Sequence, residues 1–345
     1  MAKFKVGIIG ATGYTGSELV RLLDRHSGVS ISFITSESYK GKQFSDVHPQ
    51  FSDLNDYSLV SIEDIDEEEV DLIFLALPHG VSMDFITDKW QKKAKIVDLS
   101  GDFRLKDAEM YEQWYGKAHR SPDLFADAAF GLPELFRTDI RRANLVANPG
   151  CYPTASVLPL APLLKNGLIE PKSIVIDAKS GVTGAGAKAK PNTHFPDVFG
   201  NFSAYGIFKH RHTPEIQYAL ECYSQKDTEV IFTPHLLPID RGILTTIYCK
   251  PTKPVDVDSL REYYFRIYEK EHFVRILDTP PQIKHVRGSN YCDIFVDYDE
   301  RTNTIITIGA IDNLVKGAAG QAIQNMNIML GLLEKTGLKQ APLMP

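Results

Sequence analysis

The stretch Gly10-Ala11-Thr12-Gly13-Tyr14-Thr15-Gly16 decides the fold. It follows an apolar segment, Lys5–Ile9, and opens an amphipathic one, Gly16–Arg25, which together predict a strand, a glycine-rich turn and a helix. Glycine lets the backbone turn sharply and approach a pyrophosphate, and the helix start offers N–H groups to that anion. The spacing G-x-x-G-x-x-G differs from the common G-x-G-x-x-G, so a plain tight turn stays open as the alternative. Its position between strand and helix favours a dinucleotide site.

Outward from this turn, the first 150 residues alternate apolar strands with helical segments. Strands are expected at Ser30–Thr35, Val70–Leu77 and Ala94–Leu99. Their nearly continuous Val/Ile/Leu runs suit strands that are covered on both faces. We therefore predict an α/β fold with a Rossmann-type, doubly wound parallel sheet.

Beyond residue 150 the strands become longer and richer in β-branched residues, which predicts an α+β catalytic domain with a mixed or antiparallel sheet. These strands are expected at Ser173–Ala178, Glu229–Thr233, Gly242–Lys250, Ile294–Asp297 and Thr304–Ile311. The segment Val315–Thr336 has helical spacing and is expected to pack on the first domain. The predicted domains are residues 1–150 with 313–345, which bind the cofactor, and 151–312, which carry catalysis and oligomerisation.

The end of the second expected strand indicates which dinucleotide binds. An NAD site usually has an acidic residue there to hold the ribose 2′-OH. This chain has Ser36, Glu37, Ser38 and Lys40. Hydroxyls and a lysine suit a 2′-phosphate and favour NADP, although Glu37 leaves NAD open. The predicted cofactor contacts on this domain are Gly10, Thr12, Gly13, Tyr14, Thr15, Gly16, Ser36, Ser38 and, after the third strand, Pro78.

A cysteine lies at the expected start of another helix. Asn148-Pro149-Gly150-Cys151-Tyr152-Pro153-Thr154 precedes an apolar helix over Pro153–Leu164. A helix start stabilises thiolate, the form that attacks an activated acyl group. A small buried hydrophobe is the alternative, and we assign that role to Cys222, Cys249 and Cys292. The four cysteines form no C-x-x-C pair, so neither a disulfide framework nor a zinc site is expected.

A thiohemiacetal route also needs an acid and base, and Lys209-His210-Arg211-His212-Thr213-Pro214-Glu215 supplies histidines before an expected helix. His212 is the preferred acid/base and His210 the second choice. A metal-binding pair and a solvent-facing basic cap are the alternatives; no metal is predicted. Arg104 is a candidate anchor for an anionic substrate, with an ordinary surface salt bridge as the alternative, and Lys209 and Arg211 are further cations.

Composition limits the partners. The chain has 345 residues, 43% hydrophobic and 24% charged, with a formal net charge of −6 and no long basic run. Nucleic acid and anionic membrane surfaces need clustered Lys and Arg, so neither is expected as a partner. No signal peptide is expected from the Met1–Lys5 start, and no apolar run reaches the ~20 residues that span a bilayer. A small anionic substrate and a cytoplasmic location are expected.

Together these motifs resemble one family. Gly10–Gly16, Asp98–Arg104, Asn148–Thr154, Ser180–Gly186, His210–Glu215 and Thr233–Leu236 occur in an order similar to the N-acetyl-gamma-glutamyl-phosphate reductases of arginine biosynthesis. More distantly the chain resembles aspartate-semialdehyde dehydrogenases, which share the two-domain plan and the thioester route. The resemblance spans nearly the whole chain, and its cysteine and His-Arg-His motifs are specific.

The resemblance implies NADPH-dependent reduction of N-acetyl-gamma-glutamyl phosphate to the semialdehyde and phosphate, with Cys151 as nucleophile and His212 as acid/base. It further implies Ser180, Gly181 and Asn313 as contacts to the cofactor, and a homo-oligomer (dimer or tetramer) formed through the sheet of the second domain. Arg104, Asn148, Lys209 and His210 are the predicted substrate contacts. Reduction of aspartyl or N-blocked aminoadipyl phosphate stays open, because one methylene is worth only ~1–3 kcal/mol of discrimination. An NADP-sensing regulatory protein is the alternative of another class.

Overall fold

The computed structural model describes residues 3–65, 70–86, 90 and 93–344. The chain divides into two compact units, Met1–Pro149 with Ala318–Lys339, and Gly150–Gly317 with Gln340–Pro345. Residues 313–317 and 340–345, which the sequence analysis assigns to the first domain, thus group with the second unit. At the C-terminus one reason is that the Leu343 N–H donates to the Arg287 carbonyl over 2.8 Å.

The first unit contains a parallel sheet. Its strands are β1 Phe4–Ile9, β2 Val29–Thr35, β3 Leu59–Val60, β4 Leu72–Leu75, β5 Lys95–Asp98, β6 Ala128–Phe130 and β7 Leu145–Ala147. They lie in the order β3-β2-β1-β4-β5-β7-β6, and the strand pairs run parallel. The predicted Rossmann-type sheet is confirmed. The strand order reverses between β1 and β4, and such a switch point opens a crevice at the carboxyl ends of the strands.

The second unit contains a mixed sheet, as predicted. Its strands are β8 Ile174–Ser180, β9 Ser203–Ala204, β10 Val230–Leu236, β11 Ile243–Cys249, β12 Val274–Ile276, β13 Cys292–Asp299 and β14 Thr304–Ile311. Their order is β12-β13-β14-β11-β8-β10-β9. The pairs β8/β10 and β12/β13 are parallel, and the other neighbours are antiparallel.

The α-helices complete the two units. They are α1 Tyr14–Leu23, α2 Phe44–Val47, α3 Ser82–Phe85, α4 Ala108–Tyr115, α5 Pro133–Arg142, α6 Cys151–Lys165, α7 Phe195–Val198, α8 His212–Ser224, α9 Val257–Tyr268 and α10 Gly320–Met329. Helix α10 packs on α5 and α1 within the first unit. Within the ranges that the structure describes, no helix combines the length and the apolar character needed to cross a membrane.

The helix predicted over Val315–Thr336 is shorter and irregular at its start. Val315–Ala319 forms a π-helical turn ahead of α10. The helix stops at Met329, and Gly331 then adopts a left-handed backbone with φ 69°. A glycine in this conformation commonly follows a helix end. The apolar spacing beyond Met329 therefore does not represent further helix.

Helix α6 is almost wholly buried although it contains Pro159 and Pro162. A proline leaves the carbonyl four residues earlier without its helical donor. The Thr245 hydroxyl donates to the Ala155 carbonyl over 2.8 Å, and the Tyr268 hydroxyl donates to the Leu158 carbonyl over 2.6 Å. Side chains from β11 and α9 thus satisfy both carbonyls and fix the helix that begins at Cys151.

Candidate active site

The glycines of the first turn have two different purposes. Gly10 has φ +85°, and a Cβ on it would lie 2.5 Å from the Ala76 carbonyl oxygen; a Cβ on Gly16 would lie 2.2 Å from the Gly10 carbonyl oxygen. The fold itself therefore requires these two glycines. A Cβ on Gly13 would meet its nearest protein atom at 3.8 Å, so glycine here leaves an open surface. Such a surface fits the close approach of a pyrophosphate.

The start of α1 is arranged for an anion. Its N-cap, Gly13, has an extended backbone and no side-chain cap, and the first turn carries no acidic residue. The Thr12 hydroxyl lies 3.0 Å from the Ser36 hydroxyl, which ties the turn to the end of β2. N–H groups at a helix start combined with the helix dipole favour a phosphate. The residues present here thus fit a dinucleotide.

The acidic residue after β2, Glu37, already accepts hydrogen bonds from other parts of the protein. The Glu37 carboxylate accepts from the Ser61 hydroxyl over 3.0 Å and from the Ile62 N–H over 2.9 Å. Lys40 forms an exposed ion pair of 2.8 Å with Asp64. Ser36 is buried, whereas Ser38 is exposed. Glu37, the acidic residue that could have held the ribose of NAD, therefore caps the turn after β3.

Two loops at the carboxyl ends of β4 and β5 are tied together by Asp102. This fully buried carboxylate accepts from the Gly80 N–H over 2.7 Å and from the Tyr111 hydroxyl over 2.9 Å. The Gly101 N–H in turn donates to Nδ1 of His79 over 2.7 Å. Pro78 is exposed on the first of these loops. The Asp98–Arg104 motif thus holds these two loops together, a role that was not predicted from the sequence.

Arg104 and Asn148 are buried side chains that bind main-chain groups. Arg104 is 5% exposed and donates to the carbonyls of Leu99 and Asn148 over 2.8 Å each, so the surface salt bridge considered as its alternative is wrong. The Asn148 amide accepts from Asn325 over 3.0 Å and donates to the Ala318 carbonyl over 3.2 Å. These bonds hold the chain that leads to Cys151. Their contact with substrate stays a prediction.

Cys151 is the first residue of α6 and is partly exposed. Its N-cap, Gly150, has an extended backbone with φ −68° and ψ 159°, no side-chain cap, and no acidic residue in the first turn. Cys249 and Cys292 are buried as predicted, whereas Cys222 is only partly buried, so the prediction of a buried hydrophobe is wrong there; burial raises the pKa of the Cys249 thiol far above its usual range. Of Cys151, Cys249 and Cys292, the first has the surroundings that stabilise thiolate.

A glycine from the π-helical turn lies against the cysteine. A Cβ on Gly317 would lie 2.7 Å from the Cβ of Cys151. The Gly317 N–H donates to the Asp312 carbonyl over 2.9 Å, which holds the turn. The sequence analysis missed this residue, because a glycine in a helical pattern gives no sign of a contact made 166 positions away (317 − 151).

A buried carboxylate joins the start of α6 to the start of α8. His212 is the first residue of α8, and Glu215 follows one turn later with no exposed surface. One oxygen of Glu215 accepts from the Gly150 N–H over 2.7 Å, and the other lies 3.9 Å from Nε2 of His212. Glu215 is not among the site residues predicted from the sequence. Its spacing of three residues from His212, on one helix face, was the available signal.

His210 differs chemically from His212. Its Nδ1 accepts from the His212 N–H over 3.1 Å, and the two ring centroids are 4.8 Å apart. Burial, and then the charge of Arg211, lowers the pKa of His210 to about 4. His210 is therefore neutral near pH 7. Lys209, by contrast, is exposed.

Two tyrosines complete the surroundings of the histidines. The hydroxyls of Tyr152 and Tyr205 are 3.1 Å apart, and both rings contact His210 edge-on at 5.6 Å. Burial raises the pKa of Tyr205 to about 12, and raises that of Tyr152 further. Both are therefore neutral near pH 7.

Ser180, Gly181 and Asn313 come together at the end of β8. The Asn313 carbonyl oxygen accepts from the Gly242 N–H over 2.7 Å, and its amide donates to the Thr183 hydroxyl over 3.0 Å. The Gly181 N–H donates to the Gly242 carbonyl over 2.9 Å. Asn313 thus holds two loops in place; its contact with a nicotinamide ring stays a prediction.

Among the residues that the structure describes, no group of three or more His, Cys, Asp or Glu side chains is arranged to hold a metal ion. The His-x-His pair consequently has no further ligand within this part of the chain.

Known protein families match both parts of the chain. Residues 5–143 match "Semialdehyde dehydrogenase, NAD binding domain", and residues 151–313 match "Semialdehyde dehydrogenase, dimerisation domain". Among solved structures, aspartate semialdehyde dehydrogenase II from Vibrio cholerae has a TM-score of 0.75 at 18% identity, covering 96% of this chain and 99% of that one. That likeness shows a shared fold.

Curated relatives match over nearly their full length. The N-acetyl-gamma-glutamyl-phosphate reductase of Pelotomaculum thermopropionicum is 50% identical, covering 99% of both chains. The protein of the same name from Lachnoclostridium phytofermentans is 49% identical, again covering 99% of both. The cofactor class is therefore nicotinamide dinucleotide. At this identity and coverage, the chain belongs to the N-acetyl-gamma-glutamyl-phosphate reductase family.

Proposed function

We propose that this chain reduces N-acetyl-gamma-glutamyl phosphate to N-acetylglutamate 5-semialdehyde and inorganic phosphate, a step of arginine biosynthesis, using NADPH. The observation that carries the proposal is the cysteine at the start of α6, whose N-cap residue Gly150 donates its N–H to buried Glu215 in the first turn of α8, the helix that begins at His212. Relatives that are 45–50% identical bear this enzyme's name. Aspartyl and aminoadipyl phosphates are therefore secondary candidates.

Cys151 begins the reaction as a thiolate. Its sulfur forms a bond to the acyl carbon, the bond from that carbon to the phosphate oxygen breaks, and phosphate leaves with the bonding electrons. The product is a thioester on Cys151. When bound, the reduced nicotinamide supplies a hydride to reduce the thioester.

Main-chain donors near Cys151 stabilise the oxyanion that develops on the substrate. Pro153 has no N–H, the Thr154 N–H donates to the Gly150 carbonyl, and the Gly150 N–H donates to Glu215. The N–H of Tyr152 is therefore a candidate donor at this helix start. As the carbonyl re-forms, the C–S bond breaks and His212 gives its proton to the departing sulfur.

His212 suits this proton transfer better than His210 does. The low pKa of His210, about 4, leaves it without a proton to donate near pH 7, and its Nδ1 already accepts from the His212 main chain. We therefore assign the acid/base role to His212 and leave His210 as a neighbour of the substrate. Exposed Lys209 and buried Arg104 are the proposed cationic contacts of the substrate.

NADP is the proposed cofactor form. The Glu37 carboxylate is engaged with Ser61 and Ile62, so the proposed groups for a 2′-phosphate are the hydroxyls of Ser36 and Ser38 and the ammonium of Lys40, which would exchange its exposed ion pair with Asp64 for the phosphate. Titration calorimetry with NADP and NAD measures the preference directly. Ser38→Asp should weaken NADP binding more than NAD binding, because its carboxylate repels the phosphate.

We also propose a homo-oligomer that uses the open face of the second sheet. Alternate residues of β8 and β11 are buried, while those between them are exposed or half-exposed. Ile231 and Tyr248 are 49% and 39% exposed, and Leu244 and Ile306 are half-buried. Sedimentation analysis should detect a dimer or tetramer, and Tyr248→Glu should shift it towards monomer.

The reverse reaction provides the test of the activity. Purified protein is mixed with N-acetylglutamate semialdehyde and NADP, with and without inorganic phosphate, and NADPH formation is followed by absorbance. Phosphate-dependent NADPH that is abolished by alkylation of Cys151 supports the proposal. Activity only with aspartate semialdehyde or a longer homologue would change the substrate. Cofactor binding without turnover of any of them would favour a sensor.

A further inference from the structure

Glu215 is a charged group that the proposed mechanism does not use directly. Its side chain has no exposed surface, yet it lies in the first turn of α8 with the sequence His212-Thr213-Pro214-Glu215. A carboxylate that is removed from water costs free energy unless it is hydrogen-bonded or paired with a positive charge. Its contacts therefore indicate what its charge is retained for.

The first contact is with the nucleophile's helix. One Glu215 oxygen accepts from the Gly150 N–H over 2.7 Å, and Gly150 is the N-cap of α6. A carboxylate that accepts from a helix-start N–H fixes that helix end in position. This contact alone would be satisfied by any acceptor of the same shape, charged or neutral.

The second contact depends on charge. The other Glu215 oxygen lies 3.9 Å from Nε2 of His212. At this separation, in a buried setting, a negative carboxylate favours the protonated imidazole. Pro214, at an early position of α8 where its missing N–H costs nothing, and the helical turn hold the two side chains on one face.

Apart from Cys151 when it is ionised, the neighbouring groups around His212 (His210, Tyr152, Tyr205 and Arg211) are neutral or positively charged near pH 7. His210 is neutral near pH 7 because of its lowered pKa, and Tyr152, with its ring 5.9 Å from that of His212, is neutral because of its raised pKa. Arg211 is cationic and adjacent in the chain, so it opposes protonation. Tyr205 is neutral near pH 7 because of its raised pKa, whereas a Cys151 thiolate would favour protonated His212 in the same direction as Glu215.

We propose that Glu215 is a positioning residue that aligns the start of α6 through Gly150 and holds His212 in its proton-donating form. This inference rests on the proposed role of His212 as acid and base. Glu215 itself does not touch the reacting atoms. Its charge sets the pH at which His212 exchanges its proton, and its shape sets where Cys151 lies.

The test compares Glu215→Gln with a matched control, Glu221→Gln. Glutamine keeps the oxygen that accepts from Gly150 but removes the charge. Glu221 lies on the same helix and its carboxylate also accepts from a main-chain N–H, that of Thr228 over 3.2 Å, but it lies in the last turn of α8. The first readout is the titration of His212 by NMR of histidine-labelled protein without substrate, with the signal assigned by His212→Asn.

In Glu215→Gln the midpoint of the His212 titration should fall by about one pH unit or more. In the reverse reaction His212 acts as a base. The acidic limb of the pH profile of kcat should therefore shift to lower pH by a similar amount. Glu221→Gln should leave both unchanged. An unchanged His212 midpoint in Glu215→Gln would overturn the proposal and leave Glu215 as a helix cap only.

The readouts separate this inference from the proposed activity. If wild-type protein shows no phosphate-dependent turnover but its His212 midpoint still falls in Glu215→Gln, the activity is wrong while the coupling of Glu215 to His212 stands. If Glu215→Gln does not fold, Glu215→Asp replaces it. Shortening the side chain withdraws the charge from the ring, so an unchanged His212 midpoint in that variant would equally contradict the proposal.

Discussion

The starts of α1 and α6 share one design and differ in the anion that they meet. Each follows a strand of the parallel sheet, and each has a glycine N-cap with an extended backbone, φ −75° and ψ 165° at Gly13 and φ −68° and ψ 159° at Gly150. Neither has a side-chain cap or an acidic residue in its first turn. Both therefore present main-chain donors and a positive dipole end.

The two helix starts differ in the source of the negative charge that they meet. At Gly13 the surface is open, so an external phosphate can approach. At Gly150 the proposed anion belongs to the chain itself, the Cys151 thiolate, and the Glu215 carboxylate accepts from the N–H of the N-cap. A bound phosphate needs only donors, whereas a nucleophile that is made and released in each cycle also needs a proton partner. This explains why the start of α8, with His212 and Glu215, lies beside the start of α6.

Removing the chain's own anion should have the largest effect. Cys151→Ser should lower phosphate-dependent NADPH formation at least about a thousandfold, because a hydroxyl at this helix start stays protonated near pH 7. Cofactor affinity, measured by titration calorimetry, should be unchanged. Cys222→Ser serves as the control and should retain activity. Near-normal turnover in Cys151→Ser would rule out the thioester route.

Displacing Cys151 without changing its chemistry should have the next largest effect. In Gly317→Ala the added methyl group would lie 2.7 Å from the Cβ of Cys151, so the cysteine or the π-helical turn must move. A displacement of about 1 Å costs roughly a hundredfold in kcat. The alkylation rate of Cys151 by iodoacetamide should change in parallel. A wild-type kcat in this variant would show that the position of Cys151 tolerates the contact.

Closing the open surface at the other helix start should affect binding alone. Gly13→Ala fits the protein, because the nearest protein atom would be 3.8 Å from the new methyl group, but it fills the path of the pyrophosphate. The dissociation constant for NADP should rise by about tenfold or more, equivalent to ~1.4 kcal/mol, with no change in thermal stability. Gly16→Ala is the comparison.

In Gly16→Ala the methyl group would lie 2.2 Å from the Gly10 carbonyl oxygen, so this variant should lose about 1–3 kcal/mol of folding stability. Equal effects of the two variants on stability would mean that Gly13 is also required by the fold.

Local sequence predicted much of both regions, because the signals are close together. The strand, turn and helix around Gly13 and the cysteine before an apolar helix are each readable within 20 residues. The residues that contact this helix start could not be predicted from local sequence. Glu215 accepts from Gly150, which lies 65 positions earlier in the chain (215 − 150). Gly317 lies against Cys151 from within a π-helical turn. Arg104 was expected at a ligand, but its bonds to Leu99 and Asn148 depend on the order of strands in the sheet.

The last prediction concerns stability rather than activity and tests what supports each turn. Hydroxyls support the first, since Thr35 accepts from the Gly10 N–H. At the approach to the second, the Asn148 N–H donates to the main-chain carbonyl of Asp98, and the buried Asp98 side chain accepts from the Ser100 hydroxyl. Burial, and after it the charge of Asp102, raises the pKa of Asp98 from 3.8 to about 6. The folded state thus holds this proton more tightly than the unfolded state does.

The stabilisation is present below pH 4 and is lost as the pH rises to about 6, a difference of about 3 kcal/mol at ~1.4 kcal/mol per pKa unit. Asp98→Asn removes the titration, so its Tm relative to wild type should rise by a few degrees between pH 4 and pH 8. Asp71→Asn is the control, because Asp71 is exposed although it also accepts from a main-chain N–H, that of Lys5. A Tm difference for Asp98→Asn that stays constant with pH would mean that Asp98 is ionised throughout, and the two turns would then be equally insensitive to pH.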